Sequence, residues 1–162
     1  MPLIKSISGI RGTIGEIEGE NLTSKDIAKF TSAFVTILVK NNNIKSRKIV
    51  VGRDARISGP MVEKIVIDTL INLGLDVICL GLSTTPTVEI AVPEEKADGG
   101  IIITASHNPI NWNALKLLNE KGEFINENEG KELIKVSESQ EFIKVQEKNG
   151  NGHPNIMATR FD

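Results

Sequence analysis

The sequence predicts an α/β domain in which helices cover both faces of a largely parallel sheet. Short β-branched runs alternate with amphipathic stretches at helical spacing, the pattern of βαβ units. The strand-like runs are continuously apolar rather than alternating, as expected of strands buried on both faces. Polar residues cluster directly after two of these runs, where open α/β sheets bind ligands.

Taken in order, residues 21–40, "NLTSKDIAKFTSAFVTILVK", place Ile27, Phe30, Phe34, Ile37 and Leu38 on one helical face, with Thr23 and Asp26 as a capping box. "KIVVG" (48–52) is a short strand. Residues 58–74 put Val62, Ile65, Val66, Thr69, Leu70 and Leu73 on one face of a second helix, with Ser58 as N-cap, Pro60 in the first turn and Gly74 as the stop. "LDVICL" (75–80) is a second strand. "STTPTVEIAV" opens a short helix, with Thr85 as its cap and Pro86 in its first helical position. "GGIIIT" (99–104) is a third strand and "ALKLL" (114–118) a fourth, ending in the turn "NEKGE"; residues 126–139 form a weaker last helix. Residues 147–162 lose periodicity and gain Asn, Gly and Pro. They read as a tail or linker after a domain spanning 1–146.

Composition bounds the function. The chain has 162 residues, 40% of them hydrophobic and 25% charged, enough to bury a core. A net charge of −2 and an aromatic content of 4% argue against nucleic-acid binding. Cys79 is the single cysteine and lies in an apolar run, which fits a buried thiol in a reducing compartment. The N-terminus lacks a secretory apolar core and no apolar run is long enough for a bilayer, so a cytoplasmic protein without membrane contact is expected.

Three polar stretches carry candidate chemistry: "SISGIRGTIG" (6–15), "RDARISGP" (53–60) and "ASHNP" (105–109). Singly, each has an ordinary explanation: a Gly-rich hairpin, a surface ion pair among Arg53, Asp54 and Arg56, and an Asn-Pro turn. Together, Ser, His, Lys and Arg near strand ends favour an anion site. There is no Gly-x-Ser-x-Gly elbow, no dinucleotide fingerprint and no P-loop. One Cys and two His make zinc a poor reading. The chemistry left is a serine that carries or receives a phosphoryl group, where catalysis is positioning and charge neutralisation.

"TASHNP" (104–109) resembles the phosphoserine signature of the α-D-phosphohexomutases, the phosphoglucomutases, phosphomannomutases and phosphoglucosamine mutases. "SGIRG" (8–12), "GRDARISGP" (52–60), "GLSTTPTVE" (81–89) and "ADGGIIITASHNPINWNALKLLNEKGEF" (97–124) extend the resemblance over about residues 3–145. It implies the family's first domain, a three-layer α/β/α unit with a mixed, mostly parallel sheet. Ser106 would bear the phosphoryl group that passes between the 1- and 6-positions of a hexose phosphate. His107, Lys116 and Arg11 match catalytic positions. Arg53, Thr104 and Asn108 lie in matched motifs and are expected to bind substrate or phosphate. The family's Mg²⁺ is held by the serine phosphate and by three aspartates of a second-domain loop. Many members carry Asn-Gly where this chain has Asn113-Ala114.

The six aspartates, Asp26, Asp54, Asp68, Asp76, Asp98 and Asp162, include no pair at i, i+2 spacing, so no compact carboxylate metal loop is present. The expectation is therefore a truncated gene product or excised domain, inactive without domains II–IV, with a bared interdomain face that promotes self-association. The alternative is a non-catalytic phosphate-binding or scaffold module of the same fold. The joint presence of Ser106, Arg11 and Lys116 favours the first.

Overall fold

The computed structural model describes residues 3–6, 9–145 and 156–158. Its elements run β1 (Ile4–Ser6), β2 (Gly9–Ile14), β3 (Asn21–Leu22), α1 (Ser24–Lys40), β4 (Lys48–Arg53), α2 (Gly59–Asn72), β5 (Asp76–Leu82), α3 (Thr85–Glu94), β6 (Gly99–Ile103), β7 (Trp112–Leu118), α4 (Glu127–Ser139) and β8 (Ile156–Ala158). The strands form one mixed sheet in the order β1-β2-β7-β6-β4-β5-β8, with β3 beside β2. β4 runs parallel to β5 and β6, whereas β7 runs antiparallel to both β6 and β2.

Both faces of the central strands are buried, which explains their unbroken apolar runs. Ile49, Val51, Val77, Ile101 and Ile103 pack with Phe30, Phe34, Val66, Leu70 and Leu133 of α1, α2 and α4. The alternate residues Val50, Ile78 and Ile102 pack with Val88, Ala91 and Val92 of α3. The three-layer α/β/α arrangement follows from this alternation.

Local signals decide where the helices begin. The Thr23–Asp26 capping box opens α1: Thr23 Oγ1 accepts from the Asp26 N–H at 3.1 Å and Asp26 Oδ2 accepts from the Thr23 N–H at 3.2 Å. A second box opens α4, where Asn126 and Glu129 exchange the same two bonds. Two expected caps are displaced. Thr84, not Thr85, caps α3, because its hydroxyl accepts from the Thr87 N–H at 3.2 Å. Ser58 precedes α2 but makes no side-chain cap; its hydroxyl is occupied by Asn113 Nδ2 at 2.9 Å. Gly74 stops α2 as expected, at φ 95°.

The N-terminal polar stretch is more ordered than its composition suggests. Ile10 is buried and Arg11 exposed, and β2 inserts between β1 and β7. A Cβ on Gly9 would collide with the Leu115 carbonyl oxygen, so glycine is what lets β2 approach β7 there. Ser8 lies outside the described residues, as do 146–155 and 159–162 of the segment read as tail or linker. Within that segment Ile156–Ala158 pair in parallel with β5. No helix among the described residues is long and apolar enough to cross a membrane.

Candidate functional site: a serine loop between two cations

β6 ends at Ile103 and the chain turns at once. Thr104 and Ala105 remain buried, Ser106 and His107 are exposed, and the Asn108 N–H closes the turn on the Ala105 carbonyl at 2.9 Å. Ser106 thus sits just past the C-terminal end of a central strand, as the polar cluster after "GGIIIT" predicts. Its φ is 48°, a left-handed conformation that non-glycine residues seldom adopt outside sites where the surroundings enforce it.

The return strand β7 delivers Lys116. Its Nζ donates to Ser106 Oγ at 3.1 Å. β2 delivers Arg11 from the other side. In the antiparallel register Gly9 faces Lys116 and Arg11 faces Ala114, so both cationic side chains rise from the same face. Arg11, Ala105, Ser106, His107, Asn108, Ala114 and Lys116 line one cavity of about 220 Å³. No carboxylate is in the lining. The site therefore has the charge and the donors for an anion.

Under the serine lies a layer that the sequence reading passed over as a surface ion pair. Thr104 Oγ1 accepts from the Ser106 N–H at 3.2 Å and donates to Asp54 Oδ2 at 2.6 Å. Asp54 Oδ1 in turn accepts from the Arg56 N–H at 3.2 Å. The Arg56 guanidinium, its side chain only 10% exposed, reaches across to the serine loop and bonds four backbone carbonyls there. The ion pair exists, with Arg56 Nε 3.4 Å from Asp54 Oδ2, but it is part of the loop's foundation.

Each expected site residue can now be placed. Ser106, His107, Asn108, Lys116 and Arg11 share the cavity. Asn108 turns its Nδ2 onto the Ala105 carbonyl at 2.8 Å, so its amide shapes the turn. Thr104 is buried beneath the serine rather than open to a ligand. Arg53 stands apart from the cavity. Its Nε pairs with Glu63 at 3.2 Å and its Nη1 donates to the Asp54 carbonyl at 3.3 Å. Asp54 and Arg56 stand outside the site residues that the sequence predicts. Their Gly-Arg-Asp-x-Arg setting was the available signal; the fifty-residue reach of Arg56 was not. Ala114, where a glycine is common, occupies a regular buried position in β7 opposite Arg11, and extended backbone accepts it without strain.

A metal needs a different donor set. Among the described residues no three His, Cys, Asp or Glu side chains converge, and Ser106 Oγ has cations as neighbours. These residues do not compose a Mg²⁺ site by themselves.

Known proteins of one family resemble this chain in sequence and fold. The family model described as phosphoglucomutase/phosphomannomutase, alpha/beta/alpha domain I, matches residues 4–144. The phosphoglucomutase/phosphomannomutase of Thermococcus kodakarensis is 41% identical over 114 residues, covering 70% of this chain and 24% of that protein. The phosphoglucosamine mutase of Clostridium acetobutylicum is 34% identical over 120 residues, covering 74% and 25%. The chain thus spans about a quarter of these curated relatives. A crystal structure of a phosphoglucomutase/phosphomannomutase family protein from Burkholderia thailandensis superposes with a TM-score of 0.76 at 25% identity, covering 96% of this chain and 32% of that one. A putative phosphomannomutase from Thermus thermophilus shares the fold, with a TM-score of 0.75 at 24% identity, covering 98% and 33%. With its serine turn, its mixed sheet and its matched motifs, the chain belongs to the phosphoglucomutase/phosphomannomutase family, as that family's α/β/α domain I.

Proposed function

We propose that this chain is the serine-bearing domain of a phosphohexomutase, and that Ser106 Oγ carries the phosphoryl group exchanged with a hexose phosphate. The observation that carries this reading is the Lys116–Ser106 hydrogen bond inside a cavity whose other fixed charge is Arg11. In the donating direction, a sugar hydroxyl oxygen attacks the phosphorus of phosphorylated Ser106. The new P–O bond forms as the P–Oγ bond breaks, and the electron pair stays on Oγ. Lys116, already donating to Oγ, supplies its proton. The sugar hydroxyl proton passes to His107, the imidazole in the same lining. The Arg11 side chain is exposed, lines the cavity and has no side-chain hydrogen bond or ion pair among the described residues, so its charge is open to offset that of the transferring group. The bisphosphorylated sugar then reorients and returns its other phosphate by the reverse steps.

Mg²⁺ would be shared between the serine phosphate and a loop of the second domain, and no step above depends on it. The sugar-recognition groups belong to the further domains as well. Turnover is accordingly a property of the longer protein, with the isolated chain inactive as a mutase.

The test is incorporation of phosphate from a hexose 1,6-bisphosphate, followed by intact-mass spectrometry, in a protein that joins this chain to the three further domains. One phosphoryl group mapped to Ser106, and none in Ser106→Ala, is expected together with interconversion of hexose 1- and 6-phosphates. Near-normal turnover by Ser106→Ala would overturn the assignment.

A further inference from the structure

Arg56 directs both terminal nitrogens of its guanidinium at one loop. Nη1 bonds the Pro109 carbonyl at 2.6 Å and the Trp112 carbonyl at 3.0 Å, while Nη2 bonds the Ser106 carbonyl at 2.9 Å and the Asn108 carbonyl at 2.8 Å. Nε faces Asp54 Oδ2 at 3.4 Å. All four acceptors lie in the seven residues 106–112, and the Asp54 Oδ2 that forms the ion pair with Nε accepts from the Thr104 hydroxyl at 2.6 Å. A planar guanidinium presents five N–H groups in a fixed fork, and here four of them bridge the two limbs of one loop. The loop's other ties are the turn closures from Asn108 to Ala105 and from Trp112 to Pro109, one bond from β2 in which the Asn111 carbonyl accepts from the Ile14 N–H at 2.9 Å, and the bonds of the Ser106 N–H to Thr104 Oγ1 and of Asn108 Nδ2 to the Ala105 carbonyl. It exposes Ser106, His107, Pro109 and Ile110.

We infer that Arg56 is a positioning residue for Ser106: it clamps the 106–112 loop so that the serine keeps its left-handed backbone and aims Oγ at Lys116. The inference rests on Ser106 being the phosphoryl carrier, but the clamp itself is a property of this chain. Arg56 is not among the cavity-lining residues and contributes through the loop backbone. A lysine can place one ammonium in the same space, yet it cannot serve two limbs at once. Free guanidinium ion, in contrast, fits the slot that Arg56→Ala would open.

The test compares wild type, Arg56→Lys and Arg56→Ala in the 162-residue chain, the last with and without millimolar guanidinium chloride. Amide hydrogen exchange is read at Asn108 and Trp112 in the loop and at Val50, Ile101 and Leu115 in the sheet. Loop protection is expected to fall by about tenfold or more in both variants, as for loss of a charged hydrogen bond. Sheet protection should hold, and guanidinium should restore the loop in Arg56→Ala. In parallel, the same variants in the longer protein should phosphorylate Ser106 more slowly, with guanidinium recovering the rate of Arg56→Ala and with Arg56→Lys remaining slow. Loop protection within twofold of wild type in both variants would overturn the inference. So would loss of protection throughout the sheet in both, which would make Arg56 a support of the whole fold. A clamp that responds as expected in a protein whose Ser106 never takes a phosphoryl group would retain the loop device and refute the carrier reading instead.

Discussion

Lys116 Nζ donates to Ser106 Oγ at 3.1 Å although ten residues of chain separate them, because β6 and β7 run antiparallel and fold the second strand back beside the turn. Removing the amine should therefore act on the serine directly. In the protein carrying the further domains, Lys116→Met is expected to lower the rate of Ser106 phosphorylation by about 10²-fold or more, within the usual range for a general acid or base. The fold should survive, since the ammonium is only partly buried. Rapid-quench phosphorylation and circular dichroism of the same sample separate the two effects. A rate within threefold of wild type would show that the hydrogen bond has no part in transfer.

Thr104→Val keeps the shape of a buried side chain but deletes its hydroxyl. The Ser106 N–H loses its acceptor and Asp54 loses its closest donor. A destabilisation of about 1–3 kcal/mol is expected, the range for unsatisfied buried polar partners. Urea denaturation would measure it, and an unchanged midpoint would count against the hydroxyl's role.

The Cys79 thiol holds its proton to higher pH than an ordinary cysteine, chiefly because burial disfavours the thiolate and secondarily because Glu63 is nearby. Since the thiolate is the nucleophile, alkylation of the folded chain by iodoacetamide should be slow at neutral pH. Its half-maximal pH should lie above that of the chain unfolded in urea. The same sign applies to stability: the contribution is complete below the unfolded thiol's pKa and is lost as pH rises through the folded one. An alkylation profile equal to that of the unfolded chain would refute the shift.

Large apolar side chains stand open beside the serine loop and at the same ends of the strands. Ile57 is 84% exposed, Ile110 68% and Leu82 64%. Exposed apolar surface of this kind promotes association. The isolated chain is expected to sediment as a dimer or larger species at high concentration, and Ile57→Lys with Ile110→Lys should shift it towards monomer. A sharp wild-type monomer over a wide concentration range would contradict this.

The strands at 48–52, 75–80 and 99–104 were legible because burial on both faces leaves an unbroken apolar run, and α1 because its stripe and cap agree. The N-terminal strands were harder. β2 alternates buried Ile10 with exposed Arg11 and carries Gly9 and Gly12, so its six residues look like a Gly-rich loop until β7 supplies the partner. The displaced caps have the same origin. Thr84 and Thr85 are chemically equal, and only backbone geometry decides between them. Ser58 was drawn off by Asn113, fifty-five residues away. Ser106, Lys116 and Arg11, which the motifs single out, share one cavity, whereas Arg53 and Arg56 could not be told apart by sequence. One turns to Glu63 on α2 and the other to the loop.

The separation of these contacts along the chain has a consequence for how the site assembles. Closing Ser106 onto Lys116 spans ten residues, and closing Arg56 onto the Ser106 carbonyl spans fifty. Chain-closure entropy grows with the logarithm of length, so the short hairpin reaches its native register with less entropy to overcome than the β4-to-β6 connection requires. The serine and its lysine are therefore expected to meet before the docking of β4 beside β6 brings the guanidinium onto the loop. During refolding, side-chain proximity at Ser106 should appear before the reactive conformation does, and the lag between them reports the formation of the central parallel pair.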